Sequence, residues 1–204
     1  MKVSKAQSAL NRQAVLEAAA RLYRERGFAG VGVAEISREA GFTHGGFYGR
    51  FESKEALAAE ACEQSLAQTL ERLRASLSQH QGDAGPYFHR YLRAEHRDHP
   101  GAGCAIAALA VDAARSGGAP GEALTQGIAG YLAALAGRQP DEDGAAAAPP
   151  GAADKERAIL SLSALVGGLV LARATAEAAP ALSDEILDTL SATLARLWRE
   201  APSA

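Results

Sequence analysis

The stretch FTHGGFYGRF, Phe42–Phe51, places two adjacent glycines, Gly45 and Gly46, between a helix-capping threonine and a group of aromatics. Each glycine costs a helix interior about 1 kcal/mol relative to alanine. The chain is otherwise rich in alanine, so glycine here needs a reason. Phe47, Tyr48 and Phe51 recur at helical spacing. That spacing predicts a short helix from His44 to about Arg50, capped by Thr43. Just upstream, EISREAG reads as the end of another short helix, closed by Gly41. Two short helices joined by a tight glycine-containing turn make a helix-turn-helix pattern. In that pattern the second helix presents its N-terminal end to the DNA major groove. Here that end is Thr43-His44-Gly45-Gly46. Without a Cβ the backbone can lie against a phosphate or a base edge. The free N–H groups of the helix end also attract phosphate. Close approach is then the purpose of the glycines.

Working outward, apolar positions Leu10, Ala14, Val15, Ala18, Leu22 and Tyr23 recur at helical spacing from Gln7 to Arg26, and Gly27 stops that helix. A second helix is expected over Val33–Ala40, with Ile36 and Ala40 on one face. Downstream, Ser53 is an N-cap candidate for a long helix running to about Ser78. Charge follows the same division. Residues 1–54 carry nine basic and five acidic side chains, a net +4; the remainder carries 12 basic and 19 acidic, a net −7, which gives the overall −3. A basic first quarter on an acidic body points to a local anionic partner.

These residues resemble a known family. GFTHGGFYGRFESKEAL, with AVLEAAARLYRERGFAGVGVAEISREAG before it, looks like the N-terminal signature of the TetR/AcrR family of transcriptional repressors, over about residues 10–58. The resemblance implies that Phe28, Val33, Ile36, Ala40, Phe47 and Phe51 form the core of a DNA-binding unit. It implies that Thr43, His44, Gly45, Gly46 and Tyr48 face DNA, and that Lys54 contacts phosphate. Two positions depart from the family pattern. Gly32 stands where the family usually has a threonine that caps the second helix and touches phosphate; glycine is a weaker cap and cannot make that contact. Arg50 stands where an aromatic or histidine is common, and it can add a phosphate contact of its own.

The rest reads as a helical body. Pro86 opens PYFHRYLRAEHRD, GCAIAALAVDAARSG is a compact helix, and EALTQGIAGYLAALAG follows the break SGGAPG. RQPDEDGAAAAPPGAAD has no periodicity and reads as a mobile loop. Two long helices, Asp154–Ala178 and Ser183–Arg199, finish the chain. The first is apolar round most of its circumference and so needs burial on more than one side, and the second carries an apolar stripe. A two-fold interface is expected through Leu162, Val166, Gly168, Leu169, Leu187, Leu190, Leu194 and Trp198. In the middle helices Phe88, Tyr91 and Tyr131 stand beside small residues such as Ala107, with Glu95, His96 and Cys104 nearby. Small residues facing aromatics leave space, which predicts a pocket for a small apolar or aromatic effector.

Several other chemistries are set aside. His89, His96, His99 and Cys104 lie close in sequence, but Pro100 and Gly101 intervene and no helical pair forms; no metal site and no cofactor are expected. No P-loop, dinucleotide fingerprint or nucleophile with an adjacent base appears, so an all-helical enzyme is the weakest reading. Cys104 at a helix start leaves a redox or electrophile sensor as the alternative. Cys62 and Cys104 make no disulfide framework, no secretory segment opens the chain and no run of 18 apolar residues appears; a cytoplasmic location without membrane contact is expected. With 48% hydrophobic but only 5% aromatic residues, an alanine-rich chain favours packed helices over sheets. The expectation is therefore all-α: a helix-turn-helix domain over 1–53 and an effector-binding and dimerisation domain over 54–204. The function expected is that of a homodimeric repressor, released from a palindromic double-stranded DNA operator by its small-molecule effector.

Overall fold

The computed structural model describes residues 4–42, 50–137 and 151–200, and these are helices and connections with no strand among them. The all-α expectation holds. The helices are α1 (Lys5–Arg26), α2 (Val33–Glu39), α3 (Lys54–Gln79), α4 (Gly85–Tyr91), α5 (Ala94–Asp98), α6 (Ala105–Ser116), α7 (Gly118–Leu135), α8 (Ala152–Thr175) and α9 (Pro180–Glu200), with a 3-10 turn at Pro100–Ala102. Of the expected loop over 138–154, residues 138–150 lie outside the described residues, and 152–154 form the first turn of α8 instead; the expected helix from His44 to about Arg50 lies outside them but for Arg50.

The chain divides into two compact units, Met1–Leu66 with Pro100–Thr125, and Ala67–His99 with Gln126–Ala204. In the first unit, Ser4 caps α1 by accepting from the Gln7 N–H at 3.1 Å. Val15, Leu16, Ala19, Leu22 and Tyr23 are buried on one side of α1. Leu10, expected on that side, is 64% exposed, because it lies before the buried stretch begins. Tyr23 meets Phe28 edge to face, with ring centroids 5.3 Å apart. Ile36, Phe51 and Leu57 complete this core, joined by Val31, which the sequence pattern had not singled out.

The second unit departs from the sequence reading at two places. PYFHRYLRAEHRD is not one helix. It breaks between Tyr91 and Ala94, where Leu92 leaves helical geometry and turns inward to be buried. α5 is held at its last turn by Arg173 of α8, which donates to the carbonyls of His96 at 2.8 Å and Arg97 at 3.1 Å. Cationic donors at a helix C-terminus satisfy carbonyls that have no partner within the helix. Ser183 was expected as an N-cap, but α9 starts earlier, at Pro180. Ser183 is buried instead, and its hydroxyl donates to the Ala172 carbonyl at 2.7 Å. α8 and α9 pack along their lengths, and α4 packs on α9 through Phe88 and Trp198, whose rings meet edge to face at 5.4 Å.

Packing sorts the residues of the expected interface. Leu162, Leu169, Leu187 and Leu194 are buried within their own chain, so they are core. Gly168 faces Leu190 of the same chain. Val166, Leu190 and Trp198 are half-buried. The apolar side chains left outside on these helices are Ile159, Leu160, Val170, Leu171, Leu182 and Leu197, each at least 43% exposed. By length and composition alone α8 is long and apolar enough to cross a membrane, a test that the core helix of a globular protein also passes. Its serines and glycines interrupt the apolar run without making it polar.

Candidate nucleic-acid interface

The turn after α2 is built as its sequence demands. Gly41 has φ +79°. Its N–H reaches the Arg38 carbonyl at 3.0 Å, while the Phe42 N–H reaches the Ser37 carbonyl at 2.8 Å. These two bonds with a left-handed glycine between them are a Schellman closure, which ends a helix and reverses the chain. This closure stands where the helix-turn-helix pattern expects its turn to begin. Thr43, His44, Gly45, Gly46 and Tyr48, on which direct DNA contact was expected to rest, lie outside the described residues.

The flanks are described. On the far side Phe51 is buried, and the Arg12 guanidinium lies over its ring, 4.6 Å from the centroid. Arg12 also donates to the Arg50 carbonyl at 3.4 Å and pairs with Glu60 at 2.5 Å. One α1 side chain therefore fixes both the end of the expected recognition segment and the start of α3. No local sequence signal pairs residues this far apart, and sequence reading missed it. Ser53 caps α3 as expected, its hydroxyl accepting from the Ala56 N–H at 3.0 Å. Lys54 sits in the first turn of that helix, half-buried.

Gly32 is the N-cap of α2 and offers no side-chain cap bond. It is exposed, and nothing lies within 4 Å of where its Cβ would stand. The Arg50 guanidinium lies 4.8 Å over the Phe42 ring, so it bridges the two ends of 43–49. A phosphate contact by Arg50 would have to be made from this stacked position.

Electrostatics in the first unit are more local than the charge count implied. Arg21 pairs with Glu39 at 2.5 Å and Glu25 at 3.5 Å, and Arg26 pairs with Glu35 at 2.6 Å. The Arg21–Glu39 and Arg26–Glu35 pairs lace α1 to α2 and leave the net basic surplus on the other side chains. Exposed surface pairs of this kind contribute little stability each. Arg38 makes none of these pairs; it is exposed and is the basic residue of α2. It was not among the expected DNA-facing residues, and only its solvent exposure marks it.

The expected effector residues are distributed over both units. Cys104 and Ala107 belong to the first, at the N-cap and in the first turn of α6. Phe88, Tyr91, Glu95, His96 and Tyr131 belong to the second. There the Tyr87 and Tyr131 hydroxyls meet at 3.0 Å in the core. The His96 ring stands edge-on to Tyr91 at 4.6 Å and its Nδ1–H donates to the Tyr91 carbonyl at 2.7 Å. Burial lowers the His96 pKa, and the Arg173 and Arg72 charges push the same way. Glu95 is exposed. Both cysteines are free and buried. Burial pushes the Cys62 thiol up to about 12 despite the nearby Arg24 charge. Among the described residues no group of histidines, cysteines and carboxylates is arranged to hold a metal. His89, His96 and His99 each bond elsewhere, to Ser191, Tyr91 and Glu95.

Comparison with known proteins agrees with this geometry. Residues 15–61 match the family model described as bacterial regulatory proteins, tetR family. Over 63 residues the chain is 33% identical to an uncharacterized HTH-type transcriptional regulator, YerO, of Bacillus subtilis (strain 168). That alignment covers 31% of this chain and only 22% of YerO, about a fifth of its length. Among solved structures, a TetR transcriptional regulator from Chloroflexus aurantiacus J-10-FL aligns over 95% of this chain and 96% of its own, with a TM-score of 0.73 and 20% identity. The reduced form of E. coli NemR aligns over 90% and 94%, with a TM-score of 0.69 and 23% identity. At these identities the structural likeness speaks to the fold.

Proposed function

We propose, for a chain that belongs to the TetR family of bacterial regulatory proteins, that it is a transcriptional regulator which binds double-stranded operator DNA through its first 53 residues. The observation that carries this reading is the Schellman closure at Gly41 leading into THGG, inside the stretch that matches the family. Thr43, His44, Gly45, Gly46 and Tyr48 read DNA in this proposal. Lys54 and the newly identified Arg38 contact phosphate, which supplies affinity without sequence information. The protein acts in the cytoplasm, where its DNA is.

Residues 54–204 serve dimerisation and effector binding. The exposed apolar strip of α8 and α9 supports a two-fold interface, because a soluble chain rarely leaves such a strip uncovered. Ile159, Leu160, Val170 and Leu171 recur along one face of α8, and Leu182 and Leu197 lie on α9. A dimer places two recognition helices on a palindromic operator. A small apolar or aromatic effector acts on the second unit near Tyr91, His96 and Tyr131 and releases the repressor. Its effect requires differential affinity for two arrangements of the DNA-binding heads. A thiol switch at Cys104 has less support, since that side chain is 1% exposed.

The test is fluorescence anisotropy with the protein's own upstream DNA against random duplex. Specific binding is expected, with Lys54→Ala lowering the salt slope by about one unit. Gly45→Leu should abolish binding with unchanged melting. Equal affinity for both duplexes, or normal binding by Gly45→Leu, would overturn the reading.

A further inference from the structure

Arg24 stands where three segments of the first unit meet. It lies near the end of α1. Its Nε donates to the Gly101 carbonyl at 2.9 Å, and one terminal nitrogen donates to the same oxygen. The other terminal nitrogen donates to the Ser65 hydroxyl on α3, which passes its own proton to the Ala61 carbonyl at 2.8 Å. Hydrogen bonds with a charged donor are roughly twice as strong as neutral ones. The guanidinium fork thus ties α1 to α3 and to the Pro100–Ala102 turn.

Shape supports the same contact. Gly101 is buried, and a Cβ there would lie 2.9 Å from Arg21 Cγ and against the Glu25 carboxylate. The turn is therefore seated against the Arg21 and Glu25 side chains of α1, which would have to shift to admit a side chain there. Arg21, whose stem covers Gly101, is the residue that pairs with Glu39 of α2. A displacement at the turn reaches α2 through that side chain as well as through α1 itself. None of these residues is among those expected to touch DNA.

We infer that Arg24 is a positioning residue for DNA binding: by fastening α1 to the Pro100–Ala102 turn and to α3, it sets how the helix-turn-helix is held within the first unit. The inference rests on the reading of the first 53 residues as a DNA-binding head. An operator of two half-sites demands both heads at a fixed spacing, so a wrongly held head costs two-site binding more than one-site binding.

Two variants attack the contact differently. Arg24→Met removes the fork, and Gly101→Ala wedges the turn off α1 without removing a charge. Two readouts are taken well below the melting temperature of each variant. The first is amide hydrogen exchange of the free protein. Exchange at Leu22–Arg26 should speed up, while exchange over Ala158–Ala172 stays as in the wild type. The second is anisotropy on full-operator and half-site duplexes cut from the protein's upstream DNA. Affinity for the full operator should fall about tenfold, within the range that coupling between sites supplies, with half-site affinity unchanged. Equal losses on both duplexes would mean a merely structural role and overturn the inference, as would unaltered exchange in both variants. If the wild type itself ignores its upstream DNA, the DNA-binding reading fails and the positioning role goes with it; exchange then still reports whether Arg24 fastens α1.

Discussion

Leu190 of α9 fills the space where a Cβ on Gly168 of α8 would stand, with Leu92 a further 3.5 Å neighbour of the same point. This contact sets how closely the two long helices approach. Gly167, one residue earlier, has nothing within 4 Å of the equivalent point. The two adjacent glycines should therefore respond oppositely to alanine. Alanine returns about 1 kcal/mol of helix propensity at either position. Only Gly168→Ala also meets an overpacking cost of about 1–3 kcal/mol. Urea unfolding should rank Gly167→Ala above Gly168→Ala in stability. The reverse order would mean that α8 and α9 are not packed as described.

The exposed strip predicts the oligomeric state. Leu160→Glu and Leu171→Glu place charges on side chains that are 61% and 57% exposed in the single chain. The fold of each chain should survive. The dimer should not, because a charge buried unpaired at an interface costs several kcal/mol. Sedimentation velocity should show the wild type as a dimer and each variant as a helical monomer. A wild type that sediments as a monomer would refute the interface.

Gly32 predicts a gain. Threonine fits there without a clash, since the site of its Cβ is open. As an N-cap, threonine and glycine differ by only a few tenths of a kcal/mol, so melting should hardly change. The hydroxyl would also sit where the TetR resemblance expects a phosphate contact. Gly32→Thr should bind operator DNA more tightly, with a matching gain on random duplex because a phosphate contact is indifferent to sequence. Unchanged affinity on both would show that the start of α2 does not face the DNA backbone.

The buried thiols predict slow chemistry. Cys62 is fully buried with its pKa raised, and Cys104 is 1% exposed. The thiolate is the reactive form, so neither residue should react quickly with an aromatic disulfide reagent in the native protein. Both should react after denaturation. Rapid native labelling of Cys104 would revive the redox-sensing reading.

His96 predicts an acid limit to stability. Its folded pKa lies below the ordinary 6.5, first through burial and then through Arg173 and Arg72, against the raising effect of the Tyr91 carbonyl. The unfolded chain therefore takes up a proton near the ordinary value that the folded chain takes up only at lower pH. Stability should fall as pH drops below the unfolded value and level off below the folded one. His96→Gln should flatten that part of the profile. An identical pH profile in the variant would remove His96 as its source.

The local features of the head were legible in the sequence because their causes are local. Gly27 and Gly41 end helices by adopting a conformation other residues resist, and Ser53 caps by reaching a few residues ahead. A glycine or a cap acts within one turn of itself, so its neighbours in sequence are its neighbours in space. The break after Tyr91 was not legible, because Arg173, 77 residues from His96, holds the short helix beyond it. Nor was the role of Ser183, which has the composition of a cap but points into the core at Ala172.

The leucines of α8 and α9 show the same limit. Sequence periodicity established that α8 is apolar round most of its circumference and that α9 carries an apolar stripe. It could not say which side Leu162 and Leu169 take and which Leu160 and Leu171 take, because that depends on the direction from which α9 approaches. The Arg24 contact is the clearest case. Charge, spacing and family resemblance placed it in a helix and nothing more. Its partners, Ser65 and Gly101, lie 41 and 77 residues away. The sequence by itself determined that the chain is helical and where the glycine stops and the serine cap of the head fall. Only the tertiary structure decided which faces of those helices are core and which side chain ties the head in place, because contacts between distant segments are set by packing geometry, which no local pattern encodes.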